Sequence, residues 1–335
     1  MPDTPYTPPY TNTDKIIDLV SQISEKVVLT EITARMDTNP QLRRENRLKT
    51  IQSSLAIENN SLSLSQVTAI VEGKRILGPP YEIAEVKNAY EAYNHLLSCN
   101  PFSLPDLLKA HQILMSGLVR ESGVFRSGGV GVFAWQTVVH MAPPAKRVPE
   151  LMGSLLTWAE QTAVHPLIKS CVFHYEFEFI HPFADGNGRI GRMWQTLLLY
   201  QWKQIFAWLP IETLIKERQA EYYEAINTST KNTDSAYFIE FLLQAMVDVL
   251  NEVTANAQAS DQVNAQVNLL LAKLGHETLS ANELMARVGL KHRQNFRKNY
   301  LQPAIDQKKI EMTVPDKPRS GRQKYRRTKS GFPGS

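Results

Sequence analysis

Apolar residues recur at helical spacing through most of the chain. In the run 190–198 they stand at positions i, i+3, i+4, i+7 and i+8, which is the pattern of a helix with one buried face. The same spacing predicts helical segments at 16–72, 82–98, 104–119, 146–162, 166–179, 190–206, 212–227 and 234–257. The body of the protein is therefore predicted to be mainly α.

One stretch departs from this spacing. Residues Val124–Met141 are rich in glycine, β-branched and aromatic residues, and Pro143 and Pro144 follow closely. Such a composition, bounded by turn residues, is typical of a β-hairpin. We therefore expect a small hairpin between two helices of the body.

The C-terminal part carries a third pattern. After Asn256 the chain becomes polar and rich in Ala and Gln, which indicates a linker or a long helix leading into a new domain. Ser280 and Glu283 form a capping box, so a helix is expected to begin there. The elements predicted after it are a turn at Gly289, a second helix through Phe296 and Tyr300, and strands at Lys309–Val314 and through Tyr325. Helix, turn, helix and a short two-stranded wing is the order of a winged helix-turn-helix domain.

These patterns divide the 335 residues into four parts. The parts are a flexible arm rich in Pro and Thr at 1–15, an N-terminal helical region at 16–104, a core at 105–257, and a linker with the winged helix-turn-helix domain at 258–335. The predicted fold class is thus a mainly α core with a small β-hairpin, followed by a winged-helix domain.

Composition narrows the class of protein. Cys99 and Cys171 are the only cysteines and neither stands in a CxxC pair, so a disulfide framework or a thiolate metal site is not expected. No apolar run reaches the roughly 18–20 residues that a membrane span needs, and the N-terminus lacks the basic-then-apolar order of a signal peptide. We therefore expect a cytoplasmic protein that does not enter a membrane.

Charge is distributed unevenly along the chain. The net charge is +4, but residues 287–335 hold fourteen Lys or Arg against three Asp or Glu, so the rest of the chain is acidic. The second helix of the C-terminal domain contains residues that suit contacts to phosphates and base edges, namely Lys291, His292, Arg293, Gln294, Asn295, Arg297, Lys298 and Asn299. DNA binding by this domain and a merely solvated basic end both remain open.

The segment HPFADGNGRIGR, residues 181–192, carries candidate chemistry. Its glycines let backbone N–H groups turn toward an anion, and the helix that follows adds positive potential at its N-terminus. Arg189 and Arg192 are three residues apart and share one face of that helix. Two guanidinium groups so close together favour a di- or triphosphate between them.

Other side chains of this segment can act around such an anion. Asp185 offers hard oxygen ligands of the kind that hold Mg²⁺ on phosphates. Asn187 can donate to a phosphate oxygen. His181 can accept a proton from an attacking hydroxyl group. The segment thus combines a base, a metal ligand and an anion site.

Two other interpretations of the segment are weaker. It contains GxGxxG at 186–191, with Glu212 about twenty residues later, as in a dinucleotide-binding unit. That unit requires a preceding buried strand, whereas the surroundings here are helical. Zinc at His165, His174 and His181 is the other alternative, but these spacings match no common helix-borne ligand pair. A phosphate site is therefore favoured.

Segment 181–192 resembles the Fic motif, HPFx[D/E]GN[G/K]RxxR, at every specified position, and residues 105–245 resemble the core of that family. The resemblance implies transfer of AMP from ATP to a Ser, Thr or Tyr hydroxyl of a target protein, or of the protein itself, with release of diphosphate. It implies a base at His181, Mg²⁺ at Asp185, and ATP phosphates bound by Gly186, Asn187, Gly188, Arg189 and Arg192. Family phosphotransferases tend to carry Lys where Gly188 stands, which favours AMP, although other phosphate-containing groups remain open.

Ser54, Glu58 and Asn59, in a predicted helix near 45–60, match the inhibitory motif [S/T]xxxE[G/N] of the same family. The match resembles the class in which the inhibitory helix precedes the Fic core. It implies that Glu58 pairs with Arg192 and occupies the guanidinium that the γ-phosphate of ATP needs. Ser54, one turn earlier on the same face, would help to hold the helix in place. An ordinary exposed helical glutamate is the alternative.

Two further sets of residues follow from the resemblance. If the hairpin is the family's target-binding flap, Val138, Val139 and His140 face the active site, and a strand edge there can hold a target segment by β-augmentation. A purely structural hairpin is the alternative.

Adenine contacts are expected from a second group, Tyr222, Tyr223 and Asn227. Adjacent tyrosines point about 100° apart on a helix, so at most one of the two is expected to stack on the base. Packing of these residues in the core is the alternative.

A DNA-binding regulator that senses a nucleotide without turnover is the rival hypothesis. The basic C-terminal domain favours it. His181 argues instead for an enzyme, because a pure sensor needs no base. Whether the protein forms a homodimer is left open.

Overall fold

The structure is a computed structural model that describes residues 6–35, 39–134, 137–318 and 320–328. The chain forms two compact units, Met1–Val253 and Thr254–Ser335. The predicted fold class, mainly α with a small β-hairpin, is confirmed.

The first unit opens with three helices, α1 (Asp14–Ala34), α2 (Pro40–Ile57) and α3 (Leu64–Val71). The helical pattern at 16–72 did not show where one helix ends and the next begins. The breaks are made by capping residues, since the Asn39 side chain caps α2 and Ser63 with Gln66 forms a capping box at α3.

The helices that follow include a buried pair, the fourth and fifth of this series. The series is α4 (Pro80–Leu96), α5 (Leu104–Leu114), α6 (Val148–Gln161), α7 (Pro166–Ile180), α8 (Asn187–Trp202), α9 (Ile211–Glu217), α10 (Gln219–Asn232) and α11 (Ala236–Leu274), and α11 continues past Val253 into the second unit. Buried side chains cover α7 and α8 on nearly all sides, which is typical of helices at the centre of a core. Of the helices that the structure describes, none combines the length and apolar character that crossing a bilayer requires.

A β-hairpin lies within the predicted stretch, formed by antiparallel strands β1 (Gly131–Ala134) and β2 (Thr137–Met141). Its register pairs Gly131 with Met141, and the pairing shifts between Val132 and Phe133. The structure describes the backbone of the two strands but not their side chains. The part played by the Val138, Val139 and His140 side chains lies outside what is described and stays a prediction.

Residues 6–13 of the predicted flexible arm are held against the body, and its last two described residues already belong to α1. Thr11 donates to Asp234 from both its backbone N and its hydroxyl, at 3.0 and 2.6 Å. The Tyr6 hydroxyl donates to a carboxylate oxygen of Glu176 at 2.6 Å. The sequence expectation missed these contacts because their partners lie more than 160 positions away along the chain.

The second unit contains helices α12 (Ala281–Val288), α13 (Arg293–Phe296) and α14 (Gln302–Asp306), with a π-helical turn at Arg297–Leu301 between the last two. Ser280 and Glu283 form the expected capping box, and Gly289 ends α12 in the left-handed region at φ 81°. The strands β3 (Leu279–Ser280), β4 (Ile310–Met312) and β5 (Lys324–Arg327) form an antiparallel sheet in the order β3-β5-β4. The sequence predicted two strands, and β3 was missed because two residues are too short to show a period.

The core of this unit is apolar. The segment from Lys291 to Lys298, which contains α13, has charged side chains on its exposed side. The core includes Leu270, Leu274, Leu284, Phe296, Leu301, Ile310 and Tyr325. Phe296 is buried, whereas Lys291, Arg293, Arg297 and Lys298 are exposed. Burial of the aromatic side therefore leaves the basic side of the segment facing solvent.

Candidate active site

The sequence motif forms a tight loop between the two central helices, which we call the motif loop (residues 181–187). Helix α7 ends at His181, whose backbone is left-handed at φ 50° and ψ 61°. Gly186 is also left-handed, at φ 83°, and a Cβ atom there would meet the Met115 sulfur at 2.7 Å. A helix precedes the loop where a dinucleotide-binding unit would have a strand, so that alternative is wrong.

Arg126 holds this loop and was not singled out from the sequence. Its side chain is buried and its Nε donates to the His181 carbonyl oxygen at 2.7 Å. The same guanidinium donates to the carbonyls of Gly128, Pro143 and Ile180 at 2.8, 2.6 and 3.2 Å. One buried arginine thus connects the base of the hairpin to the end of α7. A left-handed non-glycine residue costs about 1–3 kcal/mol, and these bonds offset that strain at His181.

The His181 ring is partly exposed and oriented by Glu178. Its Nδ1 lies 3.3 Å from the Glu178 carbonyl oxygen and 3.9 Å from a carboxylate oxygen of the same residue. A ring that donates from Nδ1 leaves Nε2 unprotonated and able to accept a proton. Burial raises the pKa of Glu178, but the nearby His174 ring and Arg192 charge hold that pKa below its ordinary value. Glu178 is therefore a carboxylate beneath the ring.

Helix α8 presents its N-terminus to the loop, with Gly186 as its N-cap. The first-turn N–H groups of an α-helix lack partners within the helix, so this end attracts anions. Gly188 stands in that turn, and a Cβ there would meet a Glu58 carboxylate oxygen at 2.5 Å and Arg192 Nη1 at 3.0 Å. A side chain at position 188 would therefore push Glu58 away.

The Asn187 side chain bonds to the backbone of the motif loop. Its side-chain oxygen accepts from Phe183 N at 2.8 Å and its amide nitrogen donates to Phe183 O at 2.9 Å. The side chain is buried. Both amide atoms contact Phe183, so the Asn187 side chain fixes the motif loop, and its role in binding phosphate stays a prediction.

Arg192 is fully enclosed by the end of α2. Its Nη2 donates to a Glu58 carboxylate oxygen at 2.8 Å and to Ser54 O at 2.9 Å, and its Nε donates to Ser54 Oγ at 3.2 Å. Arg192 is 2% exposed in its side chain, whereas Glu58 is 33% exposed. Burial lowers the pKa of Arg192, but the Glu58 carboxylate more than offsets this and the pKa is raised. The predicted contact between Glu58 and Arg192 is present, and Asn59 follows it in a left-handed turn at φ 70°.

Arg189 has a different pair of partners. Its Nη1 donates to a carboxylate oxygen of Glu85, and its Nη2 donates to Asp185 Oδ1 at 2.8 Å. The side chains of Arg189 and Glu85 are buried, whereas the Asp185 side chain is 47% exposed. Burial raises the pKa of Glu85, although the hydrogen bond from Asn60 and the Arg189 charge oppose the rise. Glu85 was not found from the sequence, because nothing local marks it.

Asp185 can take part in a magnesium site that includes phosphate oxygens. Mg²⁺ is commonly held by one or two carboxylates together with substrate phosphates. Within the described residues, no group of three or more His, Cys, Asp or Glu side chains forms a metal site by itself. A half-exposed carboxylate beside an anion-attracting helix end fits a metal that arrives with its phosphates. The same finding leaves the zinc alternative without support.

The three expected adenine contacts divide into two groups. Tyr222 is buried, and its hydroxyl lies 3.2 Å from His174 Nε2. It is a core residue, so stacking of Tyr222 on a base is wrong. Tyr223 is half-buried. Its pKa is raised, mainly by burial and to a smaller extent by the Glu58 charge. Asn227 Oδ1 is buried without a hydrogen-bond partner in the part of the chain that is described, so it has an acceptor left for a ligand.

His111, on α5, also supports the motif loop and was missed. Gly123 N donates to its Nδ1 at 2.9 Å, so Nε2 carries the proton and donates to Asp185 O at 3.0 Å. The ring stacks on Phe183 with centroids 3.7 Å apart and planes 5° from parallel. Burial lowers the pKa of His111 to about 4. The neutral ring therefore supports the motif loop at the Asp185 carbonyl oxygen and at the Phe183 ring.

His111→Phe is expected to remove part of the acid sensitivity of folding. Because the folded pKa is below the unfolded value of about 6.5, protonation favours unfolding, and the stabilisation present above pH 6.5 is lost as the pH falls toward 4. Over that range the wild type should lose about 3 kcal/mol more unfolding free energy than the variant, which keeps the stacked ring. Denaturant unfolding at pH 7 and pH 4 measures this. His292→Gln, at an exposed histidine, should retain the wild-type slope, and equal slopes in all three proteins would contradict the assignment.

Known proteins share the sequence and the fold of this chain. A model of the Fic/DOC family matches residues 101–199, and a model of the "Filamentation induced by cAMP protein Fic-like, C-terminal domain" matches residues 265–328. The crystal structure of a Fic family protein from Desulfovibrio desulfuricans G20 is 51% identical in sequence, with a TM-score of 0.76. The match covers 98% of this chain and 100% of that one.

More distant relatives share part of the chain. Proteins named "Protein adenylyltransferase Fic" from Aedes aegypti and Culex quinquefasciatus are 28% and 30% identical, over 62% and 59% of this chain. These matches span 42% and 40% of the two relatives, so the chain corresponds to less than half of their length. The structure of Fic-1 from C. elegans, 22% identical with a TM-score of 0.56 over 73% of this chain and 76% of its own, shares the fold.

Proposed function

The chain belongs to the Fic family, and from this premise we propose that it is a protein AMP transferase that uses ATP and Mg²⁺. The observation that carries the proposal is the buried Arg192, which holds a carboxylate at the anion-attracting end of α8, beside Asp185 and His181. A buried guanidinium needs a negative partner. In the active enzyme that partner is a phosphate of ATP. The adenylyltransferase names of the relatives support the same activity.

The reaction assigns one role to each group. His181 Nε2 accepts the proton of a Ser, Thr or Tyr hydroxyl as its oxygen attacks the α-phosphorus of ATP. The new bond joins that oxygen to the α-phosphorus, and the bond from the α-phosphorus to the bridging oxygen breaks, so diphosphate leaves. Arg192 and the N–H groups at Gly186 and Gly188 bind the phosphates. Asp185 would hold Mg²⁺, which neutralises phosphate charge when bound.

The proposed target is a protein segment that offers a hydroxyl, on another protein or on this chain. The β2 strand supplies an edge that can pair with such a segment. Tyr223 and Asn227 are the side chains proposed to receive adenine, since one is half-buried and the other has an unpaired acceptor. Glu58 is proposed to hold the enzyme inactive by occupying Arg192.

The position of a radioactive label in ATP tests the proposed reaction. Full-length Glu58→Gly protein is incubated with Mg²⁺ and a cell lysate, with ATP labelled at either the α- or the γ-phosphate. AMP transfer places the α-label on protein and releases the γ-label as diphosphate. Protein carrying the γ-label would overturn the proposal in favour of a phosphotransferase. Binding of ATP with neither label transferred would favour a nucleotide sensor.

DNA binding by the second unit is a second proposed function. It is favoured by one observation, the exposed basic side of the segment from Lys291 to Lys298 above the buried Phe296. This arrangement resembles the recognition helix of a winged helix-turn-helix domain, with the turn between β4 and β5 as its wing.

Charge reversal tests this function. Arg293→Glu together with Lys298→Glu should weaken duplex DNA binding about tenfold or more and reduce the dependence on salt, because each lost phosphate contact removes about one unit of the salt slope. Mobility shift at several salt concentrations measures both. Lys109→Glu, at an exposed lysine of the first unit, is the matched control. A DNA affinity that does not change with salt concentration, or that is unchanged in the double variant, would show that this surface does not bind DNA.

A further inference from the structure

The two guanidinium groups of the motif are each held by a carboxylate, but the two carboxylates differ in burial. Glu58, on Arg192, has a side chain that is 33% exposed. Glu85, on Arg189, has a side chain that is 7% exposed. A partly exposed carboxylate can be displaced by a ligand, whereas removing one partner of a buried ion pair leaves the other charge buried and unpaired, which is strongly unfavourable. We therefore expect a ligand to be able to displace Glu58 from Arg192, whereas Glu85 stays bound to Arg189.

Arg189 lies between a buried and an exposed carboxylate. Its Nη1 meets Glu85 and its Nη2 meets Asp185 Oδ1 at 2.8 Å, and the Asp185 side chain is 47% exposed. Because Glu85 is buried and fixed, it holds the Arg189 guanidinium in place, and the guanidinium in turn orients the Asp185 carboxylate. Its Nε is buried and has no partner among the described residues, so one donor of Arg189 remains for a ligand.

Glu85 is itself tied to the segment that follows α2. Asn60 Nδ2 donates to Glu85 Oε2 at 2.8 Å and to Glu82 O at 3.2 Å. Asn60 N donates to Leu55 O at 3.1 Å, within the last turn of α2. Asn60 is buried and stands two residues after Glu58. A continuous line of hydrogen bonds therefore runs from the end of α2 through Asn60, Glu85 and Arg189 to Asp185.

From this line of contacts we propose that Glu85 is a positioning residue for the metal and phosphate site, and that Asn60 couples it to the helix carrying Glu58. The inference rests on the proposed function and extends it. Glu85 shares the Arg189 charge with Asp185. Without Glu85, Arg189 keeps Asp185 as its charged partner among the described residues, and the Asp185 carboxylate is less available to Mg²⁺. Loss of Glu85 should therefore weaken Mg²⁺-dependent nucleotide binding.

The test measures binding rather than turnover. Full-length Glu58→Gly protein is titrated calorimetrically with α,β-methylene ATP, whose carbon bridge prevents release of diphosphate, at a series of Mg²⁺ concentrations. Glu85→Gln in this background should raise the Mg²⁺ concentration for half-maximal binding about tenfold, the usual effect of losing a group that supports a metal ligand. Asn60→Ala should raise it about threefold. The double variant should behave like Glu85→Gln alone, because Asn60 acts through Glu85.

Glu82→Gln is the matched control. Its carboxylate accepts from Ser61 N and Ser61 Oγ, so it contacts the same segment on the same helix as Glu85, without a bond to Arg189. It should leave the Mg²⁺ dependence within about twofold of the parent. Thermal unfolding of each variant checks that it folds, and Asn60→Ala carries the test should Glu85→Gln fail to fold.

The remaining outcomes separate this inference from the proposed function. Binding of the analogue by the Glu58→Gly parent with an unchanged Mg²⁺ dependence in Glu85→Gln overturns the positioning role alone. Tighter binding in Glu85→Gln also overturns it, since Glu85 would then compete with phosphate for Arg189. If Glu82→Gln weakens Mg²⁺-dependent binding as much as Glu85→Gln does, the effect comes from general disturbance of the segment after α2, and the positioning role is overturned. A parent that binds no analogue at any Mg²⁺ concentration contradicts the proposed function itself.

Discussion

Glu58→Gly is expected to raise the rate of AMP transfer by about one to two orders of magnitude at low ATP. Glu58 is the C-cap of α2 and is bonded to Arg192 at 2.8 Å. Removing its carboxylate leaves a buried guanidinium with Ser54 and no charged partner on α2. A hydrogen bond to a charged group contributes about 1.5–3 kcal/mol, which corresponds to roughly 10- to 150-fold in ATP affinity.

The Glu58 carboxylate lies close to Gly188, where a phosphate of ATP is proposed to bind, so the two compete for the same place. The Glu58 oxygen lies so near Gly188 that a Cβ atom there would be 2.5 Å from it. The carboxylate thus occupies the anion-attracting end of α8 as well as Arg192. Its removal should therefore both free the guanidinium and open the helix end, and ATP should bind more tightly as well as react faster.

Transfer of α-labelled AMP and calorimetric ATP affinity measure this prediction. Glu72→Gly is the matched control, because Glu72 is the C-cap glutamate of α3 and is ion-paired with Arg44 and Lys74 on the surface. It changes the same residue type at the same kind of helix position and should leave transfer unchanged. Equal transfer by the wild type and Glu58→Gly would mean that the contact with Arg192 does not restrain the enzyme.

Local patterns in the sequence account for most of the helices but not for contacts across the fold. The run 190–198 predicts α8 because its apolar spacing repeats. The Ser280–Glu283 capping box predicts the start of α12 for a similar reason, since both partners are three residues apart. Strand β3 was not predictable in this way because it has only two residues, and the packing of residues 6–13 was not, because its partners are distant in sequence.

The candidate site shows the same division. The pairing of Glu58 with Arg192 joins positions 134 apart and was expected through the family resemblance alone. The sequence predicted a phosphate contact for Asn187 and an adenine contact for Tyr222. In the structure, Asn187 bonds to Phe183 and Tyr222 lies against His174. A side chain's type indicates which bonds it can make. Which partner it meets depends on helix packing, which one sequence does not reveal.

Arg126, His111 and Glu85 were missed for a related reason. Each is buried and bonds to the motif loop or to Arg189 from another part of the chain. A buried polar residue must satisfy its bonding groups, but its sequence neighbours do not show where they are satisfied. Arg126 lies within residues 105–245, which resemble the family core, but that resemblance does not show which bonds its side chain makes.

His181→Ala, in the Glu58→Gly background, is expected to reduce AMP transfer by about 10²- to 10⁴-fold, the usual contribution of a general base. ATP affinity should stay within about threefold of the parent. The ring bonds to Glu178 O through Nδ1, whereas the proposed phosphate ligands are Arg192 and the N-terminus of α8. Loss of the imidazole therefore removes the proton acceptor while the nucleotide site stays intact.

Two further variants separate catalysis from structure. His181→Asn keeps a polar side chain that tolerates the left-handed backbone at φ 50°, yet offers no base, so it should be as inactive as His181→Ala. His165→Asn changes the histidine that caps the other end of α7, and Asn caps well, so transfer should persist. Loss of ATP binding in His181→Asn would assign His181 a structural role. Transfer at the parental rate in both His181 variants would place the base elsewhere, and Glu178, the carboxylate beneath the ring, would be the next residue to test.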